Sequence, residues 1–523
     1  MKTFYLLLFL FPIFHFTPNK AETGYQKEYI EHTGIKSTTA NHPADTGKRK
    51  ENPVIPGDFA DPSIIRSGDV YYASGTSSEW APHYPLFTSS DLIHWKQLGY
   101  IFHKTPSWAS SSFWAPELFY YNDTYYVYYT ARKKADGISC IGVATSKDPA
   151  QDFTDHGIVV EFGKEAIDPF IIKENGKLYI TFKAYGLNDR PIELLAYQLT
   201  DDGLKTEGEP FMLLRDNEKK GLEGQCIVKR NNYYYLFYSA GGCCGSKCSY
   251  HLDVARAASL KGPYAKFENN PVLAGYDNWK CTGHGTIVST PQGQDFYLYH
   301  AYNKQNDVFT GRQGMLAKVS WNKKTGWPKL QPISGAKPGN FRDDFSNDTL
   351  KNTWQWDFRH STPMVKIENG ALHLSGQTTT NNKAGTALTV RPFESNYEIS
   401  TAVLNQNASL KGLTFYGDAG QSAGIGIKND TLQVWYVKDD VRNILKEFSI
   451  KNTTPIYLQI KVEEGDKLRF FWSDVAVKWN GVSTGEDYLM ADFAAPWDRT
   501  PRPGLLQRGT ESAVFDFFEI KYN

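Results

Sequence analysis

The sequence has no excess of charge of either sign, because its 57 Lys and Arg residues balance 57 Asp and Glu. A basic surface that recruits nucleic acid or an anionic membrane is therefore not expected, and the partner is predicted to be neutral. Long apolar runs are also scarce, and the run from Phe4 to Phe16 is too short to span a bilayer. The cysteine cluster Cys243–Cys248 has no second Cys or His pair with zinc spacing to partner it. The sequence thus favours neither a nucleic-acid-binding, nor a membrane, nor a zinc protein.

The apolar run near the N-terminus has the layout of a secretory signal peptide. Lys2 precedes the run and a polar stretch begins near Pro18, so residues 1–21 are predicted to be the signal peptide, with cleavage near Ala21. Residues 22–51 are polar and lack a strand pattern, which is typical of a flexible segment. We therefore expect a secreted or periplasmic protein.

Cysteine is uncommon, but its placement is informative. The six cysteines are Cys140, Cys226, Cys243, Cys244, Cys248 and Cys281. Export permits disulfides, although the pairing cannot be deduced from sequence alone. The cluster from Cys243 to Cys248 is expected to fix a loop through a disulfide rather than to bind a metal, and a bond between the adjacent Cys243 and Cys244 is one option.

A repeat of about 50 residues occupies the first 340 residues. Its markers, which lie 51 to 61 residues apart, are Asp61, Glu117, Asp168, Glu223 and His284. Each marker is followed by a tyrosine-rich, β-favouring stretch, and most of these stretches open with a turn signal. This period, with several short strands in each repeat, is typical of a propeller blade, and five markers predict five blades.

Three of the markers are acids in similar short motifs. The innermost strand of each blade lines the axis of a propeller, so Asp61, Asp168 and Glu223 are predicted to share one pocket. An Asp before Pro can also be a simple turn former, but three acids in phase with the repeat favour a site. Three carboxylates suit glycoside hydrolysis: one donates a proton, one attacks or activates water, and a third raises the pKa of the proton donor. Aromatic residues, 15% of the chain, suit sugar binding, although an all-β fold explains most of them.

A different pattern begins after the turn-rich linker Gly335–Gly339. Residues 341–523 contain short alternating strands with polar turns and no helical period, which predicts a β-sandwich. Asp344 and Asp516, in its first and last strands, could share a structural calcium or another cation, or could be two solvated acids at a sheet edge. The alternating Trp354, Trp356 and Phe358 could reach a ligand, but we favour a structural clamp.

The motifs resemble those of glycoside hydrolase family 43, whose members are five-bladed β-propellers. The resemblance covers about residues 52–335 and rests on the motifs Asp58–Ser63, Phe113–Glu117, Ile167–Pro169, Glu223–Gly224, Gly283–Gly285 and Gly311–Arg312. Residues 341–523 are similar to the concanavalin-like β-sandwich that follows the propeller in many β-xylosidases and arabinofuranosidases. The resemblance implies an all-β protein with a propeller catalytic domain and a β-sandwich domain.

The resemblance also implies roles for the three acids. Asp61 would be the general base that activates water, Glu223 the general acid, and Asp168 the residue that orients Glu223 and tunes its pKa. The family inverts the anomeric configuration, which requires a base and an acid about 6.5–9.5 Å apart. Glu117 is expected to lie at a blade interface instead.

Three further residues match substrate-site positions of the family. Trp114 would form the apolar wall beside the terminal sugar, or pack at a blade interface. Arg312 would reach sugar hydroxyls, or be structural. His284 would help to hold a hydrated ion or water on the axis, and its flanking glycines permit the close backbone approach that this requires.

The expected activity is that of an exo-acting, inverting glycosidase that needs no cofactor. It would release a terminal pentose from plant cell-wall polysaccharide or oligosaccharide, with α-L-arabinofuranose slightly favoured over β-D-xylose. A β-1,3-galactosidase of the same family is an alternative, as is a non-hydrolytic carbohydrate-binding propeller. A retaining fructan hydrolase is disfavoured because Ala60–Ser63 and Ile167–Pro169 lack its characteristic motifs. The sequence does not indicate an oligomeric state.

Overall fold

The tyrosine-rich strands and their tight turns form a ring of small antiparallel sheets. The structure is a computed structural model that describes residues 52–305, 307–450, 454–476 and 478–522. The predicted signal peptide and the segment up to residue 51 lie outside the described residues. The turns expected at Gly68, Asn122, Asn175 and Asn231 have left-handed backbone, which Gly and Asn tolerate best.

Each of the first four blades is a four-stranded sheet, and the strand at Ile55–Asp58 (β1) precedes them. Blade 1 contains β2 (Ser63–Ser67), β3 (Val70–Ser74), β5 (His83–Ser89) and β6 (Lys96–Phe102), with the short β4 (Trp80–Ala81) between β3 and β5. Blade 2 contains β7 (Ala109–Tyr121), β8 (Thr124–Lys133), β9 (Ser139–Ser146) and β10 (Thr154–Val160). Blade 3 contains β11 (Ala166–Glu174), β12 (Lys177–Ala184), β13 (Ile192–Leu199) and β14 (Thr206–Asp216). Blade 4 contains β15 (Glu223–Arg230), β16 (Tyr233–Ala240), β17 (His251–Ala257) and β18 (Ala265–Lys266).

The fifth blade closes the ring with strands from both ends of the propeller. It contains β19 (Trp279–Ser289), β20 (Asp295–Asn303), β21 (Arg312–Trp321) and β22 (Pro328–Ile333), and β1 pairs antiparallel with β21. A four-residue helix, α1 (Asp307–Thr310), connects β20 to β21. The prediction of five blades is confirmed, and each tyrosine-rich stretch is the second strand of its blade.

The remaining strands build two packed sheets. The first contains β23 (Phe341–Asp343), β25 (Ser361–Glu368), β26 (Ala371–Thr378), β28 (Tyr397–Val403), β33 (Ile456–Glu463), β34 (Lys467–Ser473), β35 (Asn480–Gly481), β36 (Leu489–Met490) and β38 (Ala513–Tyr522). The second contains β27 (Thr386–Thr389), β29 (Leu410–Asp418), β30 (Gln421–Lys428), β31 (Thr431–Lys438), β32 (Val441–Ser449) and β37 (Arg502–Arg508). A 3-10 turn covers Asp492–Ala494. Apolar side chains from both sheets form a continuous core, which confirms the predicted β-sandwich.

The sandwich is attached to the propeller by strand pairing and by aromatic packing. The short strand β24 (Trp356–Asp357) pairs with β4 of the propeller. Phe358 packs edge-on against His83, with ring centroids 4.7 Å apart, and Trp80 is buried beneath the guanidinium of Arg502. These contacts support the clamp interpretation of the aromatic segment around Trp356, and propeller and sandwich belong to one compact unit.

Across the described residues, no helix is long and apolar enough to cross a membrane.

Candidate active site

At an equivalent position in the innermost strand region, every blade has a residue with left-handed backbone. The five residues and their φ angles are Asp61 (51°), Ala115 (43°), Asp168 (58°), Gly224 (58°) and His284 (38°). In blades 2 to 5 the pairing with the second strand shifts register around this residue, as in a β-bulge. Such backbone is costly for residues other than Gly, and it is typical of sites where a side chain must point in an unusual direction.

This repeat refines the markers that the sequence suggested. Asp61, Asp168 and His284 occupy the left-handed position itself, whereas Glu223 lies one residue before it and Glu117 two residues after it. Gly224 is required at its position because a Cβ there would lie 2.7 Å from the ring of His284. The three acids therefore approach the axis from different backbone positions.

Asp61 is buried among donors that favour its ionised form. Arg312 Nη1 lies 3.1 Å from its Oδ1, and the Thr76 hydroxyl donates to its Oδ2 at 2.7 Å. Its backbone N–H donates to His300 Nδ1 at 3.0 Å, so the proton of the neutral His300 ring belongs on Nε2. Burial opposes ionisation, but the guanidinium of Arg312, helped by His284 and by the Thr76 hydroxyl, outweighs it and holds the pKa of Asp61 well below its usual range. Asp61 is thus a carboxylate at neutral pH.

Asp168 and Glu223 are neighbours across blades 3 and 4. The backbone N–H of Gly224 donates to Asp168 Oδ2 at 3.0 Å, which fixes the two acids relative to each other. His284 Nδ1 lies 3.4 Å from Asp61 Oδ1 and 3.9 Å from Asp168 Oδ2. The structure therefore brings together the three acids that the sequence placed in one pocket.

The pKa shifts of this pair differ from the sequence expectation. Burial, together with the negative charge of Glu223, raises the pKa of Asp168 to about 6. Burial also acts to raise the pKa of Glu223, but the ammonium of Lys183, 2.7 Å from its Oε2, outweighs burial and lowers it. The prediction that repulsion from Asp168 raises the pKa of Glu223 is therefore wrong, because the ammonium of Lys183 contacts the Glu223 carboxylate directly.

A loop held by disulfide bonds supplies a second hydrogen-bond partner of Glu223. The Tyr250 hydroxyl donates to Glu223 Oε1 at 3.0 Å, and its ring stacks on His300 with centroids 5.6 Å apart. Tyr250 packs against the disulfide between Cys248 and Cys281. A second disulfide joins the adjacent Cys243 and Cys244, while Cys140 and Cys226 are buried free thiols. The cysteine cluster therefore fixes the loop that carries Tyr250 to Glu223.

The sandwich contributes a loop to the rim of the site. Trp114 Nε1 donates to Asp498 Oδ2 at 3.2 Å, and its ring meets that of Trp497 edge-on, with centroids 5.9 Å apart. Trp497 is 60% exposed. Arg312 is buried, and its Nη2 donates to the backbone carbonyl of Asp498 at 3.1 Å. Trp114 is thus a half-buried wall residue, and Arg312 joins the base to the sandwich.

A metal ion bound by protein ligands does not fit the side chains on the axis. Within the described parts of the chain, no group of three or more His, Cys, Asp and Glu side chains is arranged to hold a metal. His284 instead faces the carboxylates of Asp61 and Asp168. The hydrated ion or water expected at His284 would be held largely through water and stays a prediction, and no catalytic step is assigned to an ion.

The expected cation between Asp344 and Asp516 also finds no support. Asp344 is exposed and accepts hydrogen bonds from the backbone and hydroxyl of Ser346. The structural acid is its neighbour Asp343, which is buried and accepts the indole N–H of Trp354 at 2.8 Å.

Glu117 lies between blades, as the sequence predicted. The hydroxyl of Ser63, from blade 1, donates to its Oε2 at 2.6 Å. Burial raises the pKa of Glu117 to about 8, so it is predominantly neutral at pH 7. Glu117 therefore contributes to the packing between blades 1 and 2.

Comparison with known proteins places this geometry in a family. Residues 50–328 match the sequence model of Glycosyl hydrolases family 43, and residues 342–500 match that of the Beta xylosidase C-terminal Concanavalin A-like domain. The chain belongs to family 43. It is therefore a glycosidase, and its two matched segments correspond to the propeller and the sandwich described above.

The curated relatives of this family 43 chain act on several pentose glycans. The extracellular exo-alpha-(1->5)-L-arabinofuranosidase ArbA of Cellvibrio japonicus is 28% identical over 52% of this chain and 86% of its own length. The non-reducing end alpha-L-arabinofuranosidase BoGH43B of Bacteroides ovatus is 28% identical over 63% of this chain and 65% of its own. A beta-xylosidase of Bacillus subtilis is 25% identical over 56% of this chain and 58% of its own. The chain thus spans about three fifths of the last two relatives.

Solved family 43 structures share the whole two-domain fold. The protein BlXynB of Bacillus licheniformis superposes with a TM-score of 0.79 at 21% identity, covering 90% of this chain and 99% of BlXynB. The Bacteroides ovatus Xyloglucan PUL GH43B superposes with a TM-score of 0.77 at 21% identity and the same coverage. At this identity the likeness concerns the fold.

Sequence reasoning missed several residues that surround the family 43 acids. Thr130, Lys183, Ser239 and His300 each lie near the end of a tyrosine-rich second strand, paired with or close to the axial residue of the same blade. A polar residue at the end of an otherwise aromatic or apolar strand was the feature of the sequence that could have identified them. Trp497 and Asp498 carried no such signal because they reach the site from the other domain.

Removing the charge of Arg312 is expected to change the pH dependence of the enzyme. In Arg312→Met the pKa of Asp61 should rise, because its main counter-charge is gone while its burial remains. The acidic limb of kcat/KM should then move to higher pH by about 1–3 units. A pH profile on an aryl glycoside measures this shift, with the exposed Arg66→Met as the control. An unmoved acidic limb in Arg312→Met would contradict the coupling between Arg312 and Asp61.

Proposed function

We propose that the chain is an exo-acting, inverting glycosidase that releases a terminal pentose from plant cell-wall hemicellulose or pectin glycans. The observation that carries the proposal is the convergence of Asp61, Asp168 and Glu223 around His284. Residues 52–335 would form the catalytic domain and residues 341–523 a clamp that supplies the rim at Trp497. The relatives that act on arabinosides and xylosides support the substrate class.

The proposed reaction is a single displacement with two proton transfers. Asp61, ionised beside Arg312, takes a proton from a water molecule whose oxygen attacks the anomeric carbon. The bond from that carbon to the leaving oxygen breaks, and Glu223 donates its proton to this oxygen. Asp168 holds the strand of Glu223 through the N–H of Gly224 and so orients the acid.

The terminal sugar is proposed to be α-L-arabinofuranose, with β-D-xylose as the second candidate. Two arabinofuranosidases among the relatives favour the first sugar. The match of the second domain to a β-xylosidase C-terminal domain favours the second. Trp114 and Trp497 would form the apolar walls against the sugar ring. Export through the predicted signal peptide, and disulfide formation after it, are part of the proposal.

An aryl glycoside panel tests the function. We expect hydrolysis of the 4-nitrophenyl α-L-arabinofuranoside or β-D-xyloside, and little hydrolysis of the β-D-galactoside. NMR of the first-formed sugar should show the inverted anomer, for example α-D-xylose from a β-D-xyloside. Retention of configuration would remove Asp61 from the role of base, and activity confined to the galactoside would select the galactosidase alternative.

A further inference from the structure

The proposed general acid is paired with the ammonium of a lysine side chain. Lys183 Nζ donates to Glu223 Oε2 at 2.7 Å, and the side chains of Lys183 and Glu223 are 13% and 17% exposed. A carboxylate that is paired with a buried ammonium keeps its negative charge. An acid catalyst, however, must hold a proton when the glycosidic bond breaks. The contact between Lys183 and Glu223 must therefore weaken before the reaction.

Glu165 offers Lys183 a second carboxylate at short range. Its Oε1 lies 3.9 Å from Lys183 Nζ and, among the described residues, this buried atom has no hydrogen-bond partner. A movement of about 1 Å would bring the ammonium to hydrogen-bond distance of Oε1. Gly186 has no side chain, and this allows Glu165 and Lys183 to lie side by side here, because a Cβ at Gly186 would collide with Glu165 Oε1 and lie 2.9 Å from Lys183 Cε.

The charged and titratable groups around this trio come from four blades. Glu223 interacts with Lys183, Asp168, His284 and Tyr250. Lys183 interacts with Glu223, Glu165 and Asp168. Glu165 interacts with Lys183, Glu223 and Arg132. Lys183 is thus the cation that both Glu223 and Glu165 share.

We propose that Lys183 is a positioning residue that shifts from Glu223 to Glu165 when substrate fills the pocket and thereby lets Glu223 take up a proton. The inference rests on the proposed function and deepens the role of its acid. The proton comes from solvent, passes from Glu223 to the leaving oxygen, and is replaced in the next cycle. The pair of Lys183 with Glu165 replaces the pair with Glu223, so no charge is left without a partner.

Glu165→Gln tests the proposal through the basic limb of the pH profile of kcat. Without the second carboxylate Lys183 stays on Glu223, so the acid loses its proton at lower pH. The basic limb should move to lower pH by about 1–3 units. At neutral pH kcat should fall about tenfold or more on unactivated oligosaccharides, and much less on aryl glycosides with good leaving groups. The exposed Glu161→Gln is the control and should leave the limb in place.

The double variant separates a movement of Lys183 from a direct effect of the Glu165 charge. Lys183→Met should move the basic limb to higher pH, because the cation on Glu223 is gone. In that background Glu165→Gln should produce no further shift, since no cation remains to be exchanged. The same shift in both backgrounds would overturn the proposal, because it would show a direct field effect. An unmoved limb in Glu165→Gln alone would also overturn it.

Two additional variants keep the test decisive. Glu165→Asp retains the charge but withdraws it from Lys183, so a smaller shift in the same direction is expected even if the Gln variant folds poorly. No shift in Glu165→Asp would count against the proposal. Glu223→Ala in the same series distinguishes a failure of the acid role of Glu223 from a failure of the positioning role of Lys183. If Glu223→Ala loses the same activity whatever the leaving group, the assignment of Glu223 as acid is rejected. If its loss of activity depends on the leaving group but the basic limb does not move in Glu165→Gln, only the role of Lys183 is rejected.

Discussion

Glu223→Ala is expected to lower kcat on arabino- or xylo-oligosaccharides by about 10²- to 10⁴-fold, the usual contribution of a general acid. A sugar leaves poorly as an alkoxide, so its oxygen needs the proton that Glu223 supplies. A nitrophenolate leaves without a proton, and activity on such aryl glycosides should be retained to a much larger extent. Comparing kcat on the two substrate types measures the difference directly.

The matched control for this variant is Glu218→Ala. Glu218 is an exposed carboxylate in the loop before Glu223 and pairs with the exposed Lys220. It should behave as the unaltered protein on both substrates. An equal loss of activity on oligosaccharide and aryl glycoside in Glu223→Ala would remove Glu223 from the role of acid.

Asp61→Asn is expected to lower kcat by a similarly large factor, about 10²- to 10⁴-fold, but on every substrate. The attacking water needs a base whatever group is leaving, so a good leaving group should not restore activity. The amide keeps the shape of the side chain but cannot accept the proton. Parallel kinetics on oligosaccharide and aryl glycoside therefore separate this variant from Glu223→Ala.

Folding must be measured alongside activity in Asp61→Asn. The substitution removes the carboxylate that contacts the buried guanidinium of Arg312, and breaking a buried pair commonly costs about 3–5 kcal/mol of stability. Circular dichroism and the thermal unfolding midpoint would report such a loss. Asp61→Glu keeps the charge while displacing the carboxylate, and should be inactive but better folded. Substantial aryl glycosidase activity in either variant would contradict the assignment of Asp61 as base.

The parts of this fold that repeat in sequence were predictable, because a repeat constrains strand order, turns and axial residues together. The tyrosine-rich second strands and the turns at Asn122, Asn175 and Asn231 follow from local chemistry. Asp61 and Asp168 were found for the same reason, since both occupy the recurring left-handed position. The shared position of Ala115 and Gly224 was hidden because neither residue carries a side chain that marks it.

The contacts that decide protonation were not predictable, because they join residues far apart in the chain. Lys183 reaches Glu223 across 40 residues, and Arg312 reaches Asp498 across 186. Like-charge repulsion between Asp168 and Glu223 was a sound expectation in the absence of a cation. Its failure shows that a pKa argument needs the full set of neighbours, which only the packed blades supply.

The closing strand β1 links the assembly of the fold to its chemistry. Asp61 lies three residues beyond the end of β1, the only segment from the start of the propeller that pairs with β21 among the described strands. If β1 detached, the blades would keep nearly all of their hydrogen-bonded ladders, while the base would lose its position beside Arg312. Turnover is therefore a more sensitive reporter of ring closure than circular dichroism, and during refolding it should be the last property to return.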